Sequence, residues 1–275
     1  RQFLEYLDLT QAKAKYAQNI QAILPTLKEE LQLQLIDAYH PVLYLNNLRK
    51  ERRTIPQTLS LTKKQRIIII SGPNAGGKSI TLKTVGLNQL MIQSGILIPV
   101  HPKSEVGFFD KIFTDIGDNQ SIENHLSTYS YRLKQMAYFL KNADEKSLLL
   151  VDEFGTGSDP ELGGALAEVF FEEFYERNAY GIFTTHYTNI KLSAERLEEA
   201  INASMLFDKK SLEPMYKLEL GQAGSSFTFE VAEKNKIPYR LINRAKKKVE
   251  NDKVRLDKTI LKLQQEKFEI QKTRD

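Results

Sequence analysis

The chain has no cysteine. That excludes a disulfide framework and any thiolate metal site, and it suits a reducing compartment such as the cytoplasm. No apolar run approaches the roughly 20 residues of a membrane-spanning helix, so no membrane partner is expected. The opening stretch from Arg1 to Leu9 mixes charged and apolar residues and lacks the basic start and apolar middle of a secretion signal. It begins on Arg rather than Met, as expected of a piece of a longer protein. Charge of one sign is scarce as well. The 39 Lys and Arg against 35 Asp and Glu leave a formal net charge of +4, which by itself says little about partners. No internal repeat is visible. What is present is 275 residues, 41% of them hydrophobic, enough for one large packed domain or one domain with appendages.

The most informative segment is Gly72, Pro73, Asn74, Ala75, Gly76, Gly77, Lys78 and Ser79, which fits G-x-x-x-x-G-K-[ST], the phosphate-binding P-loop. Arg66 to Ser71, with four isoleucines, reads as a buried strand before it. Ile80 to Met91 carries apolar residues at helical spacing after it. The motif requires that strand-loop-helix order. Its glycines let the backbone wrap a polyphosphate, and a helix N-terminus turns free N–H groups toward it. Lys78 is expected to reach the β- and γ-phosphates, and the Ser79 hydroxyl to hold Mg²⁺.

Residues 1 to about 35 read as helical, broken at Pro25. Residues 36 to 61 form a smaller segment with turn signals at His40-Pro41 and Asn46-Asn47. Ile96 to Val100, Lys111 to Asp115, Ser147 to Asp152 and Tyr180 to Thr185 read as short strands. Ser121 to Asn142 and Pro160 to Arg177 read as helices, with Pro160 suited to a first turn. Strands alternating with helices predict an α/β fold with a mainly parallel sheet covered on both faces. The expected division is a helical extension over 1–35, a P-loop domain over 36–238 and a charged tail over 239–275. That tail has no Pro or Gly. Leu256, Ile260, Leu263 and Ile270 make a stripe in it that fits either a coiled coil or a solvated surface helix.

Asp152 and Glu153 close an apolar strand. In P-loop enzymes a strand-end Asp holds Mg²⁺, and a neighbouring carboxylate can polarise an attacking water. Asp152 is therefore the expected metal partner, and Glu153 the expected general base. Gly155 to Pro160 is a glycine-rich turn. Asp159 in it is a natural helix N-cap, and its place after the two acids suits a nucleotide-sensing loop. His186 follows another apolar strand. Strand C-termini of a parallel sheet share one crevice, so His186 is expected to face the γ-phosphate. Ser127 and Thr128 precede a helix. They read equally as caps and as an anion site, the latter able to approach a nucleotide on a second subunit.

This set of motifs resembles the MutS family of DNA-repair ATPases. The segment from Gly72 to Ser79 is similar to that family's Walker A, and Asp152 to Asp159 to its Walker B and following loop. Thr185-His186 resembles its sensor, and Asp37 to Pro41 the stretch before its nucleotide site, which adds His40 to the nucleotide-binding set. Asp115 to Glu123, Leu126 to Ser130, Asn202 to Asp208 and the Lys/Glu-rich tail resemble the second bacterial branch. That branch is associated with suppressing recombination, with branched DNA and in some bacteria with ribosome rescue, and it usually carries an Smr nuclease domain. The resemblance implies an ABC-ATPase-like P-loop fold, ATP and Mg²⁺ as cofactors, and a cytoplasmic homodimer with composite ATP sites. In it Ser127 and Thr128 act in trans, and residues 1–35 end a lever to a DNA clamp lying upstream. Any nuclease activity is expected outside this chain. The Gly221 to Ser226 segment departs from the family pattern, and no role is assigned to it.

Three functions remain open on these residues. One is an ATP-driven switch on mismatched or branched DNA. Another is an ABC-type or chromosome-structuring ATPase, which needs a Leu-Ser-Gly-Gly-Gln signature that does not occur between Ser79 and Asp152. The last is an ATP-gated dimerisation module acting on ribosomes or other partners.

Overall fold

The computed structural model describes residues 2–117, 128–156, 160–208, 211, 213–224 and 228–248, with Asn74, Thr128 and Pro160 described by backbone alone. In chain order the elements are α1 (Gln2–Asn19), β1 (Thr26–Leu27), β2 (Leu33–Ala38), α2 (Pro41–Arg49), β3 (Gln57–Leu61), β4 (Ile67–Ser71), a 3-10 turn (Asn74–Gly76), α3 (Lys78–Gln93), β5 (Glu105–Val106), β6 (Lys111–Asp115), α4 (Thr128–Asn142), β7 (Ser147–Val151), α5 (Pro160–Glu176), β8 (Tyr180–Thr184), α6 (Thr188–Arg196), β9 (Ala200–Asp208), β10 (Glu213–Leu220), α7 (Thr228–Lys234) and α8 (Tyr239–Lys248). None of the described helices is long and apolar enough to cross a membrane.

Six strands form one sheet in the order β10-β9-β4-β8-β7-β6. Every pairing from β9 to β6 is parallel, and β10 is an antiparallel edge. The central strands are apolar throughout because both faces are covered. Side chains alternate across a strand, so Ile68 and Ile70 enter one core with Leu82 and Val85 of α3. Ile67 and Ile69 enter the other with Phe139 of α4, Phe171 and Phe174 of α5 and Ile190 of α6. Each of these isoleucines is fully buried, worth about 1.5–3 kcal/mol of transfer free energy apiece. The sandwich places the C-terminal ends of β4, β7 and β8 on one edge.

Three local readings are corrected. The helical expectation for residues 1 to about 35 holds only to Asn19. Leu33 to Ala38 is strand β2, in a second sheet of order β1-β5-β2-β3 that lies over the first core. Its Leu-Gln alternation buries Leu33 and Leu35 and leaves Gln34 half-buried. That period of two outweighs the helix preference of Leu and Gln. Asn46 and Asn47 lie inside α2 rather than in a turn, since Tyr44 and Leu45 dock on the core and Asn47 Nδ2 is used by Thr54 Oγ1 at 2.9 Å. Ile96 to Val100 is not a strand. Ile98 alone makes a bridge, to Ile23.

Candidate functional site: a phosphate loop at the sheet edge

The loop from Gly72 to Ser79 joins β4 to α3, as its sequence requires. Pro73 is extended and Asn74 to Gly76 form the 3-10 turn, closed by a Gly76 N–H to Pro73 carbonyl bond of 3.0 Å. Ala75 is exposed on that turn. Gly77 then takes a left-handed conformation, φ 97°, and α3 begins at Lys78. An L side chain at Gly77 would be strained. Lys78 is 3% exposed, with Nζ donating to the Gly72 and Pro73 carbonyls at 2.8 and 3.0 Å. Burial lowers its pKa to about 8, against the opposing pull of Asp152 and Glu153 and with the help of Lys191. Ser79 is half-buried on the first turn of α3.

Asp152 follows β7 and is buried. Its Oδ1 accepts from Thr184 Oγ1 at 2.6 Å. The same Thr184 oxygen accepts from the Glu153 N–H at 2.7 Å. Glu153 has φ 49°, a left-handed backbone that costs a non-glycine residue about 1–2 kcal/mol. Its carbonyl accepts from Arg132 Nη1 at 3.0 Å, Thr156 Oγ1 at 2.8 Å and Thr156 N at 3.1 Å. Strain of this kind persists only where surroundings over-determine the backbone, and here both sides of the residue are held. Asp115, at the end of β6, is buried beside this turn. Burial raises its carboxyl pKa and the Asp152 charge adds to the rise, while Arg132 pulls it down.

His186 lies just beyond β8 and is exposed. Its pKa is lowered to about 4, by desolvation first and then by Lys78 and Lys191, with Asp152 opposing. Of the four residues expected to meet from their positions at strand and helix ends, Lys78 is thus within electrostatic reach of Asp152, Glu153 and His186, and Asp152 of His186. A neutral imidazole at neutral pH offers a hydrogen bond rather than a charge. Protonation is expected only as pH falls toward about 4, so the kcat/KM profile for ATP between about pH 6 and 9 should have the same shape in wild type and His186→Gln, since kcat/KM reports ionisations of the free enzyme. An additional acidic limb near pH 6.5 in the wild type alone would contradict this assignment.

His40 lies elsewhere. It caps α2, its Nδ1 accepting from Leu43 N at 3.3 Å, and its pKa is lowered by burial, with Lys83 as the charged neighbour. Ser127 and Asp159 lie outside the described residues, as does the Thr128 side chain and the tail beyond residue 248.

Several neighbours carry no motif. Lys191 on α6 is buried, its Nζ donating to the Gly224 carbonyl at 3.1 Å. Its helix is tied to α5 through Glu168, which accepts from Ser193 and Asn189; those bonds, Ser193's first, hold its carboxyl pKa down. Gly224 N–H donates to Ser71 Oγ at 2.6 Å, so the stretch after β10 rests on the root of the phosphate loop. A Cβ at Gly224 would lie 2.9 Å from backbone atoms of Ser71 and Gly72, none of which can swing aside. Gly224→Ala is therefore expected to weaken nucleotide binding about tenfold by displacing the loop, measured by titration with a fluorescent nucleotide; unchanged affinity would contradict that packing. Tyr216, with φ 54°, stands exposed beside Gly77, its Cδ1 3.3 Å from where a Cβ would sit. Sequence spacing identifies none of these, because each comes from an element paired to the loop only in space.

Mg²⁺ chemistry fits the donors present. Mg²⁺ keeps several waters and takes one or two protein oxygens. A buried carboxylate and a helix-start hydroxyl supply those, and among the described residues no cluster of three or more His, Cys, Asp or Glu offers an alternative.

A phosphate loop, a strand-end acid pair and a crevice at the C-terminal edge of a mainly parallel sheet define a P-loop nucleotide-binding domain. The sequence profile of MutS domain V matches residues 68–252. The chain belongs to the MutS family. It is 40% identical over 261 residues to the Endonuclease MutS2 of Shouchella clausii, covering 95% of this chain and 32% of that protein. It is 39% identical over 265 residues to the Endonuclease MutS2 of Clostridium botulinum strain Loch Maree, covering 96% and 33%. With the Endonuclease MutS2 of Carboxydothermus hydrogenoformans the identity is 37% over 274 residues, covering 100% and 34%. These similarities support the MutS2 branch. The chain spans about a third of the length of the curated relatives it matches.

Proposed function

We propose that this domain hydrolyses ATP to ADP and phosphate. The observation that carries the reading is the buried Lys78 at the phosphate loop beside the Asp152–Glu153 pair fixed by Thr184, with His186 within electrostatic reach of Lys78 and Asp152. The backbone from Gly72 to Gly77 cradles the phosphates and Lys78 turns from the loop carbonyls to the β- and γ-oxygens. Ser79 and Asp152 hold Mg²⁺, which supplies neutralisation of phosphate charge. Glu153 accepts a proton from the attacking water, and neutral His186 hydrogen-bonds the γ-phosphate. Most of the rate then comes from positioning and charge neutralisation. The exposed Tyr216 ring offers a face for the base.

The domain acts as a switch in a homodimer, closed by ATP and reopened by hydrolysis. Ser127 and Thr128 reach the partner's nucleotide, and α1 leads toward a clamp on mismatched or branched DNA that lies outside this chain, in the cytoplasm of a bacterium. The family membership, the relatives' names and the position of Thr128 at the start of α4 support this reading. The test is sedimentation of the full-length protein with a non-hydrolysable ATP analogue and Mg²⁺, with binding to homoduplex, mismatched and four-way-junction DNA and to ribosomes at two salt concentrations. A monomer under these conditions sinks the composite site, and ATP-dependent binding to ribosomes alone would replace DNA as the target.

A further inference from the structure

We infer that Arg132 is a positioning residue that sets the direction of the Glu153 carboxylate by gripping the backbone carbonyl of that same residue; this rests on the ATPase reading above. Arg132 projects from the second turn of α4, across the sheet edge from the phosphate loop. Its Nη1 donates to Glu153 O at 3.0 Å and to Thr156 Oγ1 at 2.8 Å. Thr156 Oγ1 donates in turn to Glu153 O at 2.8 Å. One guanidinium nitrogen and one hydroxyl therefore close a triangle on a single carbonyl. That carbonyl belongs to a residue in a left-handed conformation, whose N–H is pinned from the opposite side by Thr184.

The arrangement has a directional consequence. A left-handed residue turns its side chain to a different side of the chain from an extended one. If the peptide after Glu153 rotates, the carboxylate leaves the crevice although Asp152 stays. Thr184 belongs to β8 and Asp152 to β7, both anchored in the sheet. Arg132 belongs to α4, a surface helix outside the sheet. It is the one side chain from outside the Asp152 to Thr156 turn that reaches the Glu153 carbonyl among the described residues. A shift of α4 against the sheet would thus move the general base without touching the nucleotide-binding groups.

Beside the guanidinium lies a cavity of about 30 Å³, lined by Asp115, Asp152, Met136, Phe154 and Thr156 among others. It is large enough for water. Truncation of Arg132 would enlarge it and leave room beside the Glu153 carbonyl for a free guanidinium ion.

The test uses the full-length protein. Arg132→Ala is expected to lower kcat for ATP by about 10–100-fold, the loss typical of a misplaced reacting group, while the affinity for a fluorescent nucleotide stays within about twofold of wild type. Millimolar guanidinium should restore part of kcat to Arg132→Ala and none to Glu153→Gln. Arg132→Lys, which keeps a charged donor nitrogen without the planar fork, should fall between. Amide exchange at Thr156, whose N–H bonds the Glu153 carbonyl, should accelerate in Arg132→Ala. An unchanged kcat, or loss of kcat and nucleotide affinity together without rescue by guanidinium or by Lys, overturns the inference while leaving the ATPase reading intact. Should Arg132→Ala fail to fold, Arg132→Lys and Thr156→Val carry the test: each must lower kcat at unchanged nucleotide affinity. Equal turnover in wild type and Glu153→Gln overturns both readings.

Discussion

Glu153→Gln is expected to lower ATP turnover by about 10²–10³-fold, the loss typical of a general base, equivalent to about 3–4 kcal/mol in the barrier. Nucleotide affinity should remain within about twofold, because the proposed phosphate-binding groups are the loop from Gly72 to Ser79 and Lys78 rather than the Glu153 carboxylate. The amide is nearly isosteric and makes no demand on the backbone that the carboxylate does not. The Thr184, Arg132 and Thr156 bonds to the Glu153 main chain survive, so the loss reads the proton acceptor alone. Lys78→Met is the complementary control. It should remove binding, and it should not destabilise the unliganded protein in proportion, since burial already disfavours the charged form of that lysine. Steady-state ATPase assays with nucleotide titrations check both. Turnover by Glu153→Gln equal to wild type would sink the hydrolytic assignment.

The second large effect concerns stability. Phe183 is fully buried in β8, with its ring 5.3 Å from that of Phe154, 6.1 Å from Phe171 and 6.0 Å from Phe174. Phe183→Ala is expected to cost about 3–5 kcal/mol, from lost transfer free energy and the cavity left in a close-packed core. For a domain of this size that lowers Tm by roughly 10 °C. The cavity opens beside Phe154, which follows Glu153, and one residue before Thr184, which holds both acids. Activity should therefore fall even where the variant is still folded. Calorimetry gives the first number, and turnover measured well below the new Tm gives the second. A Tm within about 2 °C of wild type would contradict the packing described.

These two sites differ in how much could be read in advance. The placement of Asp152, Glu153, Lys78 and Ser79 at strand and helix ends was legible because it is set locally. A glycine loop between a strand and a helix, and an acid pair at a strand end, are one-dimensional patterns. The central sheet was legible for a similar reason, since unbroken apolar runs such as Ile67 to Ile70 make sense only with both faces covered. The second sheet was not, because Leu and Gln favour helices and the alternation of Leu33 and Leu35 becomes decisive only when β3 and β5 lie alongside. Asn46 and Asn47 read as a turn because their side chains compete with backbone bonds; docking of Tyr44 and Leu45 on the core overrides that preference.

The sequence by itself determined that Gly72 to Ser79 form a phosphate-loop motif between a strand and a helix, that Asp152 and Glu153 stand at the same sheet edge, and that the family is MutS. Each of those follows from residue types at short spacing, where covalent connectivity leaves the backbone little choice. Only the tertiary structure decided that Glu153 is left-handed and held by Arg132, Thr156 and Thr184, that Lys191 and Gly224 back the phosphate loop, and that desolvation, with Lys78 and Lys191, lowers the His186 pKa. Apart from the Thr156 bond and the Lys191 charge on His186, these depend on contacts between residues distant in sequence, 21 positions for Arg132 to Glu153 and 153 for Gly224 to Ser71. No local pattern encodes such pairs, because they exist only once burial of the two cores has brought the elements together.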